Sequence, residues 1–178
     1  MDYASEGLIA AEARRARRAQ FSIWLLLATP SLALLIQVYL PLFQTLQFFE
    51  KIELPLLVTI YFGLMLRSQI RGLSLGMVMG ITQDCFTGML GMNGICKTLV
   101  GYLAASIGMQ FDVENGVVRL ALCSIFYLFH QFLYWVLQRS LLGKAVSFDI
   151  MGELMWTVIN AFLGVALFLL LDRFRQRE

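Results

Sequence analysis

Long apolar runs separated by short polar stretches constrain this sequence more than any other feature. The first run, "FSIWLLLATPSLALLIQVYLPLF", is long enough at about 1.5 Å per residue to cross a hydrocarbon layer of about 30 Å. Hydrophobic residues make up 59% and charged residues 15% of the 178 positions. In soluble domains, hydrophobic residues average about half and charged residues about a quarter of the chain. Because backbone groups in lipid must be satisfied within helices or a closed barrel, and ten-residue alternating segments are absent, we predict an all-α membrane protein.

The apolar runs predict a polytopic helical bundle of about six transmembrane helices. The spans are expected near 21–43, 53–67, 72–90, 94–110, 116–138 and 150–171. Their short connections favour one bundle rather than several domains. We expect residues 1–20 to form a basic cytoplasmic leader, 21–172 the single transmembrane domain, and 173–178 a basic cytoplasmic tail. Because the second span is short, we expect it to be little tilted or partly re-entrant.

Basic residues are divided unevenly between the two sides that this topology defines. The side of the termini collects Arg14, Arg15, Arg17, Arg18, Arg67, Arg71, Arg119, Arg173, Arg175 and Arg177. The opposite side collects Lys51, Arg139 and Lys144, while Lys97 falls inside the fourth span. This excess predicts that both termini are cytoplasmic. The leader arginines are also suited to bind membrane lipids with anionic head groups, although we expect their main role to be setting topology.

The third span carries a regular stripe of small residues. Gly72, Gly76, Gly80, Asp84 and Gly88 recur at every fourth position, which places them along one slowly drifting face of a helix. Small residues at this spacing allow a neighbouring helix to approach closely in lipid. We therefore predict that the glycines form a helix-packing or partner interface. Whether the neighbour belongs to the same chain stays open at this stage.

Asp84 is the unusual member of that stripe, because it is expected near the bilayer centre. A carboxylate there costs about 2.5–3.5 kcal/mol on insertion scales, so it must be turned inward, protonated or paired. Lys97 in the next span is within reach across a tight "GMNG" turn. Further candidates are Gln83, His130, Gln131, Glu153 and Asn160. From this set we predict a buried polar network of Asp84, Lys97, His130 and Asn160. The network either fixes helix register or serves a ligand, proton or partner.

Sequence motifs for catalysis and for metal binding are absent. The chain has no HExxH, no GxSxG and no P-loop. Its three cysteines, Cys85, Cys96 and Cys123, form no CxxC and fall inside predicted helices, where they are expected to pack. We therefore predict no catalytic, cofactor-binding or metal-binding residues, no cofactor and no nucleic-acid partner.

The run "GLSLGMVMGITQDCFTGMLGMNGICKTLVGYLAA" resembles the core of the MreD family, the rod shape-determining membrane proteins of bacteria. The residues that carry the resemblance are Gly76, Gly80, Asp84, Gly88, Leu90, Gly91, Gly101, Tyr102 and Leu103. The final run, with Asn160 in a V-x-N context and a basic tail after it, is similar to the last helix of that family. The resemblance covers roughly residues 52–177.

The resemblance implies a non-enzymatic role in the bacterial inner membrane. A member of this family is expected to bind MreC, a single-span protein with a periplasmic domain. It is expected to act indirectly with the SEDS glycosyltransferase, the class B penicillin-binding protein and MreB in lateral peptidoglycan synthesis. The family is also similar in fold to the substrate-binding subunits (S-components) of energy-coupling factor transporters, which makes an internal pocket conceivable.

Three functions are therefore weighed. The first is a membrane scaffold that binds MreC through lipid-facing helix surfaces and short loops. The second is a membrane subunit that captures a small vitamin-like molecule for transport. The third is an intramembrane enzyme using Asp84 and His130 as an acid–base pair, which the lack of a nucleophile and of a metal-ligand cluster disfavours.

Overall fold

The computed structural model describes residues 21–39, 51–88, 91–111, 113–143 and 149–174, and these contain six α-helices and no strands. In chain order the helices are α1 (Ile23–Tyr39), α2 (Leu54–Leu66), α3 (Gln69–Thr87), α4 (Met92–Gln110), α5 (Gly116–Leu141) and α6 (Ile150–Asp172). Each helix coincides with one of the predicted spans to within a few residues. The predicted leader, residues 40–43 of the first span and residues 175–178 of the tail lie outside the described residues.

Helix α2 occupies the centre of the bundle. Every one of its residues after Leu54 is buried, and it contacts all five other helices. Pro55 lies in the first turn, where its missing N–H group costs no helical hydrogen bond. The 13 residues of α2 span about 20 Å, whereas the 26 residues of α5 span about 39 Å. The central helix is therefore half as long as α5.

Helices α3 and α4 form an antiparallel hairpin in which the two backbones touch. A Cβ atom added to Gly72, Gly76 or Gly80 would collide with a main-chain carbonyl oxygen of α4. On the other helix, a Cβ atom added to Gly101 would collide with the carbonyl oxygen of Gly72. The neighbour of these three stripe glycines is therefore a helix of the same chain.

Gly88 does not belong to that contact, although the prediction grouped it with the other three glycines as a helix-packing or partner interface. Nothing lies within 4 Å of a Cβ atom added there. Gly88 instead follows the last residue of α3 with φ 68°, and its amide donates to the carbonyl oxygen of Asp84. A left-handed glycine at this position ends a helix, so Gly88 terminates α3 instead of extending the stripe.

Large apolar side chains cover much of the outside of the bundle. On α6 the exposed ones are Ile150, Met151, Leu154, Met155, Val158, Phe162, Leu163, Leu169 and Leu170. Among the described residues, two helices, α5 and α6, are both long and apolar enough to cross a membrane, while α1 and α2 are apolar but shorter. Apolar surfaces of this extent are unusual on a soluble monomer.

Candidate functional site

Buried polar side chains gather where the central helix begins. We call the following residues the polar cluster: Glu53, Gln83, Asp84, Asn93, Lys97, His130 and Asn160. Of these, all but Glu53 are buried to 95% or more, and the Glu53 side chain is 14% exposed. They come from the segment before α2 and from four helices, α3 to α6. The cluster thus joins most of the bundle in one place.

Asp84 caps the start of α4 from the last turn of α3. Its Oδ2 atom accepts the backbone amide of Gly94 at 2.8 Å. Its Oδ1 atom accepts the backbone amide of Asn93 at 3.2 Å and the side-chain amide of the same residue at 2.9 Å. Amides in the first turn of a helix have no partner within the helix, and a negative charge there interacts favourably with the helix dipole. The helix terminus and the carboxylate therefore stabilise each other.

Asp84 lies closer to the end of its helix than the predicted span, which runs to residue 90, would place it. Because Gly88 ends the helix, α3 stops at Thr87 and Asp84 lies in its last turn. The side chain is still only 4% exposed. Asp84 is thus enclosed by its own hairpin, close to the end of α3.

Lys97 is fully buried and donates to three acceptors on three different elements. Its Nζ atom lies 3.1 Å from Glu53 Oε2, 3.0 Å from Asn93 Oδ1 and 3.5 Å from His130 Nε2. An ammonium has three donors and no acceptor. In this contact His130 Nε2 can therefore act only as the acceptor, as it does in the tautomer that carries the ring proton on Nδ1.

The ion-pair partner of Lys97 is Glu53 and not Asp84, which the sequence had offered as a candidate. Asn93 connects the two charged groups, since its Nδ2 atom donates to Asp84 while its Oδ1 atom accepts from Lys97. Asp84 and Lys97 therefore belong to one network without forming an ion pair with each other.

Amide side chains from neighbouring helices satisfy the first donors of α2. Asn160 Oδ1 on α6 accepts the backbone amide of Glu53 at 3.0 Å, and Gln37 Oε1 on α1 accepts that of Leu54 at 3.1 Å. The Nδ2 atom of Asn160 also donates to the carbonyl oxygen of Lys51 at 3.0 Å. Because α2 begins inside the bundle, these groups lack water and need partners within the protein. Asn160 thus joins the cluster through the backbone.

Glu53 and Asn93 are members of the cluster that the sequence prediction missed. Glu53 ends the stretch "QTLQFFEKIE", which has the composition of a polar loop, and Asn93 lies in the "GMNG" turn. The available signal was charge balance. A lysine inside a predicted span requires a buried acceptor, and Glu53 directly precedes the second apolar run.

Three buried polar atoms in this region have no hydrogen-bond partner among the described residues. They are His130 Nδ1, Gln83 Oε1 and Glu153 Oε2. His130 stacks on Tyr134 with ring centroids 6.2 Å apart. Buried donors and acceptors of this kind nearly always find a partner in a native protein. The polar cluster therefore retains hydrogen-bonding capacity.

A second buried ion pair lies at the opposite end of α2. Arg119 NH1 on α5 is 2.6 Å from Asp172 Oδ2 on α6, and Asp172 Oδ1 accepts the hydroxyl of Tyr61 at 3.0 Å. Arg119 Nε also donates to the carbonyl oxygen of Val113 at 2.7 Å. Arg119 was counted with the loop arginines in the sequence analysis, but it is buried and paired. It contributes to packing of α2, α5 and α6.

Within the described residues, no group of three or more His, Cys, Asp or Glu side chains is arranged to hold a metal ion. The three cysteines are free, with Cys96 and Cys123 buried and Cys85 exposed. Comparisons of the chain with protein-family models, with curated proteins and with solved structures found no match.

Proposed function

We propose that this chain is a non-enzymatic scaffold of the bacterial cell-elongation complex, a MreD-like protein of the inner membrane. In this role it binds MreC and helps to regulate lateral peptidoglycan synthesis and cell shape. Through MreC it acts indirectly with the SEDS glycosyltransferase, the class B penicillin-binding protein and MreB. The six helices cross the membrane, and both termini lie in the cytoplasm.

The observation that carries this proposal is the use of the motif residues on which the family resemblance depends. Gly76 and Gly80 bring α3 and α4 into backbone contact, and Asp84 caps α4. Gly88 and Gly91 have φ values of 68° and 77° and lie at the ends of the two helices. These residues thus build a rigid hairpin. Their geometry favours a structural role over a reactive one.

The outer surface of the bundle supports the membrane assignment. Exposed leucine, isoleucine, valine, methionine and phenylalanine side chains occur on every helix except the enclosed α2. Such side chains are stable against lipid tails or against the span of a partner. The shortness of α2 presents no difficulty, because its neighbours enclose it and its first donors are satisfied by side chains. A single-span partner such as MreC would bind on these lipid-facing surfaces.

The positive-inside distribution gives the bundle an orientation in this proposal. With both termini in the cytoplasm, α2, α4 and α6 begin on the periplasmic side. The polar cluster then lies toward the periplasm, the side on which the resemblance places the folded domain of MreC. The Arg119–Asp172 pair lies toward the cytoplasm.

Co-purification with MreC tests the proposal. Wild-type protein and the variants Asp84→Leu and Cys85→Leu are expressed in rod-shaped cells depleted of the native MreD. Cys85 is the exposed neighbour of Asp84, so Cys85→Leu is a matched control for added bulk. We expect wild type and Cys85→Leu to retain MreC and restore rods. Asp84→Leu should insert in the membrane but lose MreC and leave cells round.

Failure of the wild-type protein to retain MreC would contradict the proposed function. Normal MreC binding and normal rods with Asp84→Leu would show instead that the capped hairpin is not needed for it.

A further inference from the structure

The segment Lys51–Glu53, which we call the strap, is fixed by side chains from three helices. Asn160 on α6 binds the carbonyl oxygen of Lys51 and the amide of Glu53. Tyr127 on α5 donates to the carbonyl oxygen of Lys51 at 3.4 Å. The carboxylate of Glu53 reaches Lys97 on α4 at 3.1 Å. The strap is therefore bonded to the polar cluster at the start of the central helix.

The groups beneath the strap form a receptor for one carboxylate. Lys97 supplies a fully buried ammonium, and the side chain of Gln83 lies beside the Glu53 carboxylate. Gln83 Oε1 has no partner among the described residues, and its amide nitrogen is the group able to donate to a carboxylate. Asp84 does not compete for Lys97, since its two oxygens are used on the amides of Asn93 and Gly94.

Glu53 differs from the other members of the cluster in how it is held. It is the N-cap residue of α2 with φ −94° and ψ 68°, outside the regular helix, and its side chain is 14% exposed. The remaining ion pair of the strap joins Lys51 and Glu153 at 3.6 Å, with the Lys51 side chain 55% exposed. Pairs as exposed as this contribute little stability. The strap is thus held at its edge by a weak contact.

We propose that the polar cluster is a binding site for a small monocarboxylate, which the chain's own Glu53 occupies in this structure. When the strap lifts, a ligand carboxylate takes the place of Glu53 on Lys97 and Gln83. Two of the buried atoms that have no partner among the described residues, His130 Nδ1 and Gln83 Oε1, then supply a donor and an acceptor for the rest of the ligand. Such a site needs no partner protein, so its failure leaves the scaffold function untouched.

Chemical rescue tests the site directly. Glu53→Ala removes the internal carboxylate and leaves Lys97 without its ionic partner. The Tm of the purified variant in detergent is measured in sodium acetate and in sodium chloride at equal ionic strength. We expect acetate to restore most of the lost Tm in a saturable manner, and chloride to have little effect. Glu53→Ala combined with Lys97→Met, and Glu153→Ala alone, should show no acetate-specific gain.

Equal effects of acetate and chloride on Glu53→Ala, or an acetate effect that persists without Lys97, would overturn the proposal. A second measurement applies if Glu53→Ala does not accumulate. Glu153→Gln loosens the strap but keeps the receptor, and binding of ¹³C-acetate is followed by line broadening. Glu153→Gln should broaden the ¹³C-acetate line more than wild-type protein does. This broadening should disappear when Lys97→Met is added. The same broadening in wild type and Glu153→Gln would count against the site.

Discussion

The Oδ2 atom of Asp84 lies 2.8 Å from the backbone nitrogen of Gly94, so the last turn of one helix caps the first turn of the next. This contact explains how the chain tolerates a carboxylate inside an apolar hairpin. Most of the compensation comes from the terminus of α4, whose amides need an acceptor as much as the carboxylate needs donors. Asp84 is therefore part of the architecture of the α3–α4 hairpin.

Replacing Asp84 by alanine should destabilise the hairpin by about 2–3 kcal/mol, because two buried backbone amides lose their acceptor. Cys85→Ala, one position away on the exposed side, should change stability by less than about 0.5 kcal/mol. Equilibrium unfolding of both variants in mixed detergent micelles measures the difference. Equal stabilities for the two would show that the cap contributes nothing.

Gly76→Ala should be among the more damaging substitutions on α3. The added methyl group would collide with the carbonyl oxygen of Lys97, and a backbone atom cannot rotate away as a side chain does. We expect a loss of about 1–3 kcal/mol. Gly116→Ala is the control, since a Cβ atom there meets nothing within 4 Å. Thermal denaturation should separate the two, and a Gly76→Ala protein as stable as wild type would refute the tight backbone contact.

The pair formed by Lys97 and Glu53 should show strong coupling in a double-mutant cycle. Lys97→Met leaves the Glu53 carboxylate buried without its partner and should cost about 3–5 kcal/mol. Adding Glu53→Gln removes that stranded charge and should recover part of the loss. The interaction energy, measured by unfolding, is expected to exceed about 1 kcal/mol. Additive single effects would mean that the two side chains do not form an ion pair in the folded protein.

The proposed topology predicts opposite accessibility for the two ends of the last two helices. Leu141 at the end of α5 and Phe174 after α6 are both exposed. In a cysteine-free background, Leu141→Cys should react with an impermeant maleimide in intact spheroplasts. Phe174→Cys should react only after the membrane is permeabilised. Reaction of both sites from the same side would contradict an orientation with both termini in the cytoplasm.

The approximate positions of the helices were predictable from sequence because apolar runs and polar connections alternate along the chain. The glycine stripe could also be recognised from the spacing of nearby residues, and its first three members lie in the α3–α4 contact. The termination of α3 was not predicted, since Gly88 continues the four-residue spacing while its backbone is left-handed. Local spacing does not distinguish a packing glycine from a terminating one.

The composition of the polar cluster was predictable only in part. Asp84, Lys97, His130 and Asn160 attracted notice because polar groups in apolar runs are costly. Glu53 was overlooked because it lies in a polar stretch. Its contact with Lys97 joins residues that are 44 positions apart in the sequence. Such a pair leaves no periodic signal in the sequence. It depends on side chains of other helices that hold the strap in the bundle.

Hydrogen exchange at Asn93 and Gly94 tests most directly whether Asp84 caps α4. Amides in the first turn of a helix are normally unprotected, so protection at these two positions requires the Asp84 carboxylate. We predict slow exchange of both amides in wild-type protein, and at least about tenfold faster exchange in Asp84→Ala, with amides in the middle of α5 unchanged. Fast exchange in the wild-type protein, or equal rates in the two proteins, would contradict the capped hairpin on which this account depends.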